Sequence, residues 1–162
     1  MPVTRSLRLA ISVSTIALAA CNPFHRDPVT EVTRDANANL RWRASLVTPA
    51  SLAGAVQING TATMQPGRNG ETTDFSLQVA NATPGGVHPW QVHRGQCGAD
   101  DGVLGSAESY KSIKIDDEGR GSAITSISMA TPTYGTYFVT VQASAANPET
   151  VVACGNLAAP AQ

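Results

Sequence analysis

Two stretches of this chain decide its fold: residues 88–98, His-Pro-Trp-Gln-Val-His-Arg-Gly-Gln-Cys-Gly, and residues 137–155, which begin Tyr-Phe-Val-Thr-Val-Gln-Ala-Ser and end Val-Val-Ala-Cys-Gly. In the second stretch every other side chain falls on the same face of an extended backbone. One face carries Tyr137, Val139 and Val141, and the other carries Phe138, Thr140 and Gln142. This period of two predicts a β-strand in each stretch.

Short apolar runs separated by Gly, Pro and Asn continue this pattern through the rest of the chain. We predict further strands at 42–46, 56–64, 75–79, 113–115, 124–129 and 151–152, and extend the first stretch to 87–93. The sequence Asp-Asp-Glu-Gly-Arg-Gly at 116–121 predicts a hairpin turn between the runs 113–115 and 124–129. A helical apolar period is absent from 40–157, so the sequence predicts an all-β sandwich or barrel.

The motifs around His93 and Cys154 resemble those of the copper/zinc superoxide dismutases. In that family a His-Val-His strand supplies two copper ligands and a later Val-Val-His strand supplies a third. A cysteine after the first strand bonds to the cysteine of a terminal Ala-Cys-Gly. The resemblance implies a Greek-key β-sandwich or barrel over about 40–157 and pairs Cys97 with Cys154 in a disulfide.

The chain departs from this family at the metal ligands. Gln91 and Gln142 stand at two of the copper-ligand positions, and only His93 keeps a histidine there. The family loop that carries the bridging and zinc histidines corresponds to 98–111, which contains no histidine. Because an amide oxygen is a poor ligand for cuprous copper, we predict no cofactor and treat His93 as a vestigial metal residue. Copper at an atypical site is the alternative.

The other residues at family positions have structural interpretations. His88 matches a family histidine that braces the fold by hydrogen bonding. Gln91 and Gln142, at the vacated ligand positions, are expected to hydrogen-bond each other or water. Val151 replaces the family arginine that attracts the superoxide anion.

The amino terminus has the features of an export signal. Residues 1–20 contain Arg5 and Arg8, followed by an apolar stretch too short to span a bilayer. The segment ends Leu-Ala-Ala-Cys21, which resembles the lipobox of bacterial lipoproteins. We therefore predict that a lipid on Cys21 contacts the membrane and holds the protein at the bacterial cell envelope, on its periplasmic or outer-membrane face. An ordinary cleaved signal is the alternative.

The domain organisation follows from the same reasoning. Residues 21–39 lack an apolar period and form a predicted tether, 40–158 form the β-domain, and 159–162 form a tail. Lipidation of Cys21 leaves the other two of the three cysteines as an even pair in a compartment where disulfides persist. Two free buried thiols remain the alternative.

Composition and short motifs argue against several classes of function. The formal net charge is −1 and no basic cluster is present, so we predict no nucleic-acid partner. The sequence has no Gly-x-Ser-x-Gly nucleophile motif, and the acidic turn lacks the spacing of a calcium loop.

The sequence therefore favours a non-catalytic superoxide-dismutase-like domain whose partner is an unidentified protein or small molecule. The loop 98–111 is a candidate contact surface. The alternatives are a superoxide dismutase with an atypical metal site and a weak copper or zinc carrier. Such a carrier would use His93 with Met64, Met129 or nearby carboxylates such as Asp100 or Asp101.

Overall fold

The computed structural model describes residues 40–55 and 57–160. The predicted signal segment 1–20, the lipidation site Cys21 and the tether 21–39 lie outside the described residues, as do Val56 and the last two residues of the tail. Among the described residues, no helix is long and apolar enough to cross a bilayer.

The described chain consists of ten β-strands and two short 3-10 turns, Ala50–Leu52 and Ala107–Ser109, which confirms the all-β prediction. In chain order the strands are β1 (Trp42–Leu46), β2 (Asn59–Pro66), β3 (Thr73–Ala80), β4 (Val87–His88), β5 (Trp90–Gln96), β6 (Ala99–Val103), β7 (Ile113–Lys114), β8 (Gly121–Ile127), β9 (Tyr137–Ser144) and β10 (Asn147–Leu157).

The strands form two four-stranded antiparallel sheets, ordered β1-β2-β3-β8 and β10-β9-β5-β6, and a small sheet of β4 and β7. Isolated bridges between Arg43 and Ala158 and between Val47 and Cys154 connect the two large sheets along one side. The arrangement is a sandwich whose sheets meet where β1 passes β10.

The apolar core takes side chains from both large sheets, and two tryptophans anchor it. Trp42 and Trp90 are each only 1% exposed. Their indole N–H groups donate to the backbone oxygens of Pro132 at 3.0 Å and Lys111 at 2.8 Å. A buried indole needs such an acceptor, so these bonds fix the loops that pass beside the core.

The predicted hairpin across 116–121 is wrong in its strand pairing. The turn itself forms, with Gly119 at φ 75° and the Asp116 N–H donating to the Arg120 oxygen at 2.8 Å. However, β7 pairs with β4, while β8 pairs with β3 in the first large sheet. Alternation determines which side chains face the core, but it does not select the partner strand.

Two strand boundaries also differ from the prediction. The predicted strand 87–93 is divided into β4 and β5 at Pro89, which lacks the N–H that a continuous ladder requires. The predicted strand 151–152 is the middle of β10, which runs from Asn147 to Leu157 with register irregularities on either side of Val151. Val151, between those irregularities, lines the cavity described next.

Candidate functional site

A cavity of about 1200 Å³ lies over the outer face of the sheet that contains β9 and β5. Phe138, Thr140 and Gln142 of β9 line it, together with Gln91 and His93 of β5. The alternate residues of the same strands belong to the core: Trp90, Val92, Val139 and Val141. The period of two therefore places Gln91, Gln142 and His93 on one surface.

The disulfide Cys97–Cys154 forms one side of this cavity and confirms the expected pairing. Its Cα atoms lie 6.1 Å apart and 57 residues separate the cysteines in sequence. Next to it, the Cys97 N–H donates to Oδ1 of Asn156 at 2.8 Å. Together these contacts tie the loop after β5 to β10.

The His93 imidazole, 6% exposed, makes a polar contact at both ring nitrogens. Its Nδ1 lies 3.0 Å from Oδ1 of Asp100, and its Nε2 lies 3.2 Å from Oγ1 of Thr140. The ring also stacks on Phe138, with centroids 5.0 Å apart and an interplanar angle of 24°. Three neighbours therefore fix the position and the plane of the ring.

The carboxylate of Asp100 sets the direction of this hydrogen-bond network. An ionised carboxylate only accepts, so a singly protonated His93 donates from Nδ1 to Asp100 and accepts at Nε2 from the Thr140 hydroxyl. The hydroxyl in turn accepts from Nε2 of Gln142 at 3.1 Å. In this series of hydrogen bonds, each donor therefore points towards Asp100.

Asp100 is held in its charged form by its neighbours. Burial raises the pKa of this carboxyl, but hydrogen bonds from the Gly102 N–H and from His93 lower it by more, so the pKa lies below its ordinary value. The Gly102 N–H lies 2.7 Å from Oδ1. A charged acceptor at this position keeps the Nδ1 proton on His93.

The two glutamines, Gln91 and Gln142, differ from each other in their contacts. Gln142 donates to Thr140 and, among the described residues, not to Gln91. Gln91 lies opposite Thr140 in the β5–β9 ladder and lines the cavity. The Oε1 atom of Gln142 is buried and has no partner among the described residues.

His88 lies behind Gln142. Its Nδ1 lies 3.0 Å from the backbone oxygen of Gln142, to which it donates, and the side chain is 9% exposed. The Gln142 N–H donates to the Pro89 oxygen at 2.9 Å. These two bonds hold the Gln142 backbone to the segment between β4 and β5.

The order Thr140–His93–Asp100 has the connectivity of a nucleophile–base–carboxylate triad. Here the Thr140 hydroxyl is only 4% exposed and already accepts from Gln142. The backbone amides around Thr140 belong to the ladders with β5 and β10 and are not free to stabilise an oxyanion. The geometry therefore favours a structural network over a nucleophilic site.

The metal-binding alternatives can be compared with the same geometry. Within residues 40–55 and 57–160, no group of three or more His, Cys, Asp or Glu side chains is arranged to hold a metal ion. Met64 lies in the core, whereas His93 lines the outer cavity. Among the candidate ligands, Asp100 is the one placed against His93.

Sequence reasoning missed three features of this site: the Thr140 hydroxyl, the Phe138 ring and the Glu149 carboxylate at the cavity wall. The period of two did place the first two on the face of β9 that carries Gln142, but sequence reasoning assigned neither a contact with His93. Glu149 had no such signal, because the irregular register of β10 brings it to the cavity.

No protein-family model matches the chain, and no curated protein shows significant similarity to it.

Proposed function

We propose that residues 40–158 form a non-catalytic binding domain with the Greek-key arrangement of the copper/zinc superoxide dismutases, and that the cavity beside His93 is its ligand site. A lipid on Cys21 holds this domain at the cell envelope. The antiparallel sheets and the disulfide between the two motif cysteines, Cys97 and Cys154, support the proposed fold type.

The observation that carries the proposal is the occupation of both His93 nitrogens by Asp100 and Thr140. A metal ion at this position would have to displace at least one of those contacts. The neighbouring Gln91 and Gln142 offer amides in place of imidazoles, and amides bind copper weakly. The site is therefore better suited to a ligand that is recognised by hydrogen bonds and shape.

Electrostatics favour the same conclusion. Two carboxylates, Asp100 and Glu149, line the cavity, whereas its lining residues include neither lysine nor arginine. A negatively charged wall repels the superoxide anion, which a dismutase must attract. Val151, at the position of the family's attracting arginine, lines the cavity as an apolar residue.

Copper loading of the purified, oxidised protein tests this function. We expect electron paramagnetic resonance to show no tightly held cupric centre after desalting, and dismutase activity no higher than that of heat-denatured protein. A stoichiometric cupric centre with several nitrogen donors would contradict the proposal. Copper binding that disappears in His93→Ala without dismutase activity would instead indicate a metal carrier.

A matched variant calibrates the measurement. Replacing Gln91→His and Gln142→His together places three imidazoles on the cavity face of β5 and β9. We expect this variant to show nitrogen hyperfine structure that the natural protein lacks. If both proteins bind copper equally, then the two glutamines are not what determines the metal affinity of the site.

A further inference from the structure

The Gln142 side chain has an unused hydrogen-bond acceptor at the cavity. It is 7% exposed, lines the cavity, and its Oε1 atom has no partner among the described residues. A buried carbonyl without a donor loses its bonds to water without replacement, which is unfavourable. Native sites keep such a group where a ligand or an ordered water supplies the missing donor.

The hydrogen-bond network explains why the free atom is an acceptor. Asp100 at one end only accepts, so His93 and Thr140 donate towards it and Gln142 must present its NH₂ group to Thr140. Turning the amide over would place its oxygen where the donor is needed. The unpaired atom of this cavity-lining side chain is therefore a covered carbonyl oxygen, which a ligand N–H or O–H would satisfy.

The carboxylates that line the cavity favour a positively charged ligand over a neutral one. Glu149 is exposed, lines the cavity and has no hydrogen-bond or ion-pair partner among the described residues, while Asp100 is already bonded to His93 and Gly102. An unpaired carboxylate and an unpaired carbonyl at the same cavity favour a cation that carries hydrogen-bond donors. A protonated amine meets both requirements with one group.

The remaining wall offers apolar contact. Val47, Leu52, Pro148 and Val151 line the cavity together with the Phe138 ring. Its volume of about 1200 Å³ is large enough for an organic molecule. Ligand sites of this kind combine apolar walls with a few polar groups that fix the orientation.

We propose that the cavity binds a small organic amine in its protonated form. An ammonium N–H donates to Oε1 of Gln142, the positive charge faces Glu149, and the hydrocarbon part lies against Val47, Leu52 and Val151. This contact requires the Gln142 side chain to rotate until its covered oxygen faces the cavity. This inference rests on the proposed binding function and names the ligand class of the same site.

Three probes with the same phenyl ring, similar size and different charge test the ligand class: benzylamine as the cation, benzamide as the neutral donor and benzoate as the anion. We expect the side-chain amide signals of Gln142 in ¹⁵N–¹H spectra to shift with benzylamine at neutral pH, less with benzamide and not with benzoate. Equal shifts with benzoate, or no shift of Gln142 with any probe, would overturn the proposal.

Two variants separate the charge from the acceptor. Glu149→Gln removes the exposed charge and should weaken benzylamine binding about fivefold while leaving benzamide unchanged. The matched control Glu118→Gln alters an exposed carboxylate in the 116–121 turn and should change neither. If Glu149→Gln has no effect on benzylamine, then the proposed role of this carboxylate is wrong.

Gln142→Met keeps the side-chain length but removes the acceptor, and should weaken both benzylamine and benzamide. The control Gln78→Met lies on an exposed position of β3 in the other sheet. Thermal unfolding of each variant establishes that it is folded.

The two proposals can fail separately, because copper loading and dismutase activity are measured independently of amine binding. Failure of amine binding leaves the non-catalytic assignment standing, whereas a catalytic copper centre removes both proposals.

Discussion

Nδ1 of His93 lies 3.0 Å from Oδ1 of Asp100, while the other ring nitrogen contacts the Thr140 hydroxyl. The bond between His93 and Asp100 connects β5 to β6, and the bond between His93 and Thr140 connects β5 to β9. His93 thus serves as a link between three neighbouring strands.

Replacing Thr140→Val should lower the free energy of unfolding by about 1–3 kcal/mol, because it leaves both Nε2 of His93 and the amide of Gln142 without their shared partner. Urea unfolding of the variant provides the measurement. Thr61→Val, at an exposed position of β2, is the control and should stay within about 0.5 kcal/mol of the natural protein. Equal effects of the two changes would show that the network contributes no stability.

The same substitution also tests the triad-like geometry. We expect the natural protein to hydrolyse p-nitrophenyl acetate no faster than Thr140→Val, because the hydroxyl is buried and no oxyanion donors are free beside it. Two results together would establish Thr140 as a nucleophile instead. The variant would have to hydrolyse the ester more slowly than the natural protein, and mass spectrometry would have to find an acyl group on Thr140 of the natural protein.

Asp100 should make stability depend on pH in the acid range. Its pKa in the folded protein lies below the ordinary value of 3.8, so the charged carboxylate stabilises the fold above that pH. This contribution is lost as the pH falls below 3.8 through the folded pKa. Because the side chain is 52% exposed, solvent screening limits the effect to less than about 1 kcal/mol.

The comparison of the natural protein with Asp100→Asn isolates this effect. The difference in unfolding free energy between the two should be largest near neutral pH and should shrink below pH 3.8. Urea titrations at several pH values supply the curves. A difference that does not change with pH would show that the charge on Asp100 is not responsible.

Loss of the disulfide should destabilise the domain strongly. Cys97→Ser opens a loop of 57 residues, and removal of a native disulfide from a small exported domain costs about 2–5 kcal/mol. The melting temperature in non-reducing buffer measures the loss. Chemical reduction of the natural protein is the control and should lower it to a similar extent; a Cys97→Ser variant as stable as the oxidised protein would contradict the prediction.

Cys21→Ser tests the predicted lipid anchor. Without the thiol no acyl chain can be attached, so the protein should move from the membrane fraction to the soluble fraction of lysed cells. Metabolic labelling with a fatty acid should mark the natural protein and leave the variant unlabelled. Membrane retention of the unlabelled variant would mean that another segment provides the attachment.

The sequence predicts which side chains of a strand face the core, because the period of two depends only on neighbouring residues. The faces of β9 follow from its alternation, and the structure places Val139 and Val141 in the core as that period requires. The partner of β8 could not be obtained in this way. An alternating strand fits against any edge of suitable polarity, and the choice of β3 depends on how both sheets fill the core.

The sequence by itself determined that the chain is all-β, that few imidazoles are available in the described domain, and that the residues at positions 91, 93 and 142 would share one surface. The tertiary structure alone decided what those residues contact. Asp100 reaches His93 because β6 folds back beside β5, and Glu149 reaches the cavity because β10 is irregular near Val151. Such contacts depend on strand register and bulges, which arise from packing across the whole sheet and leave no local sequence pattern.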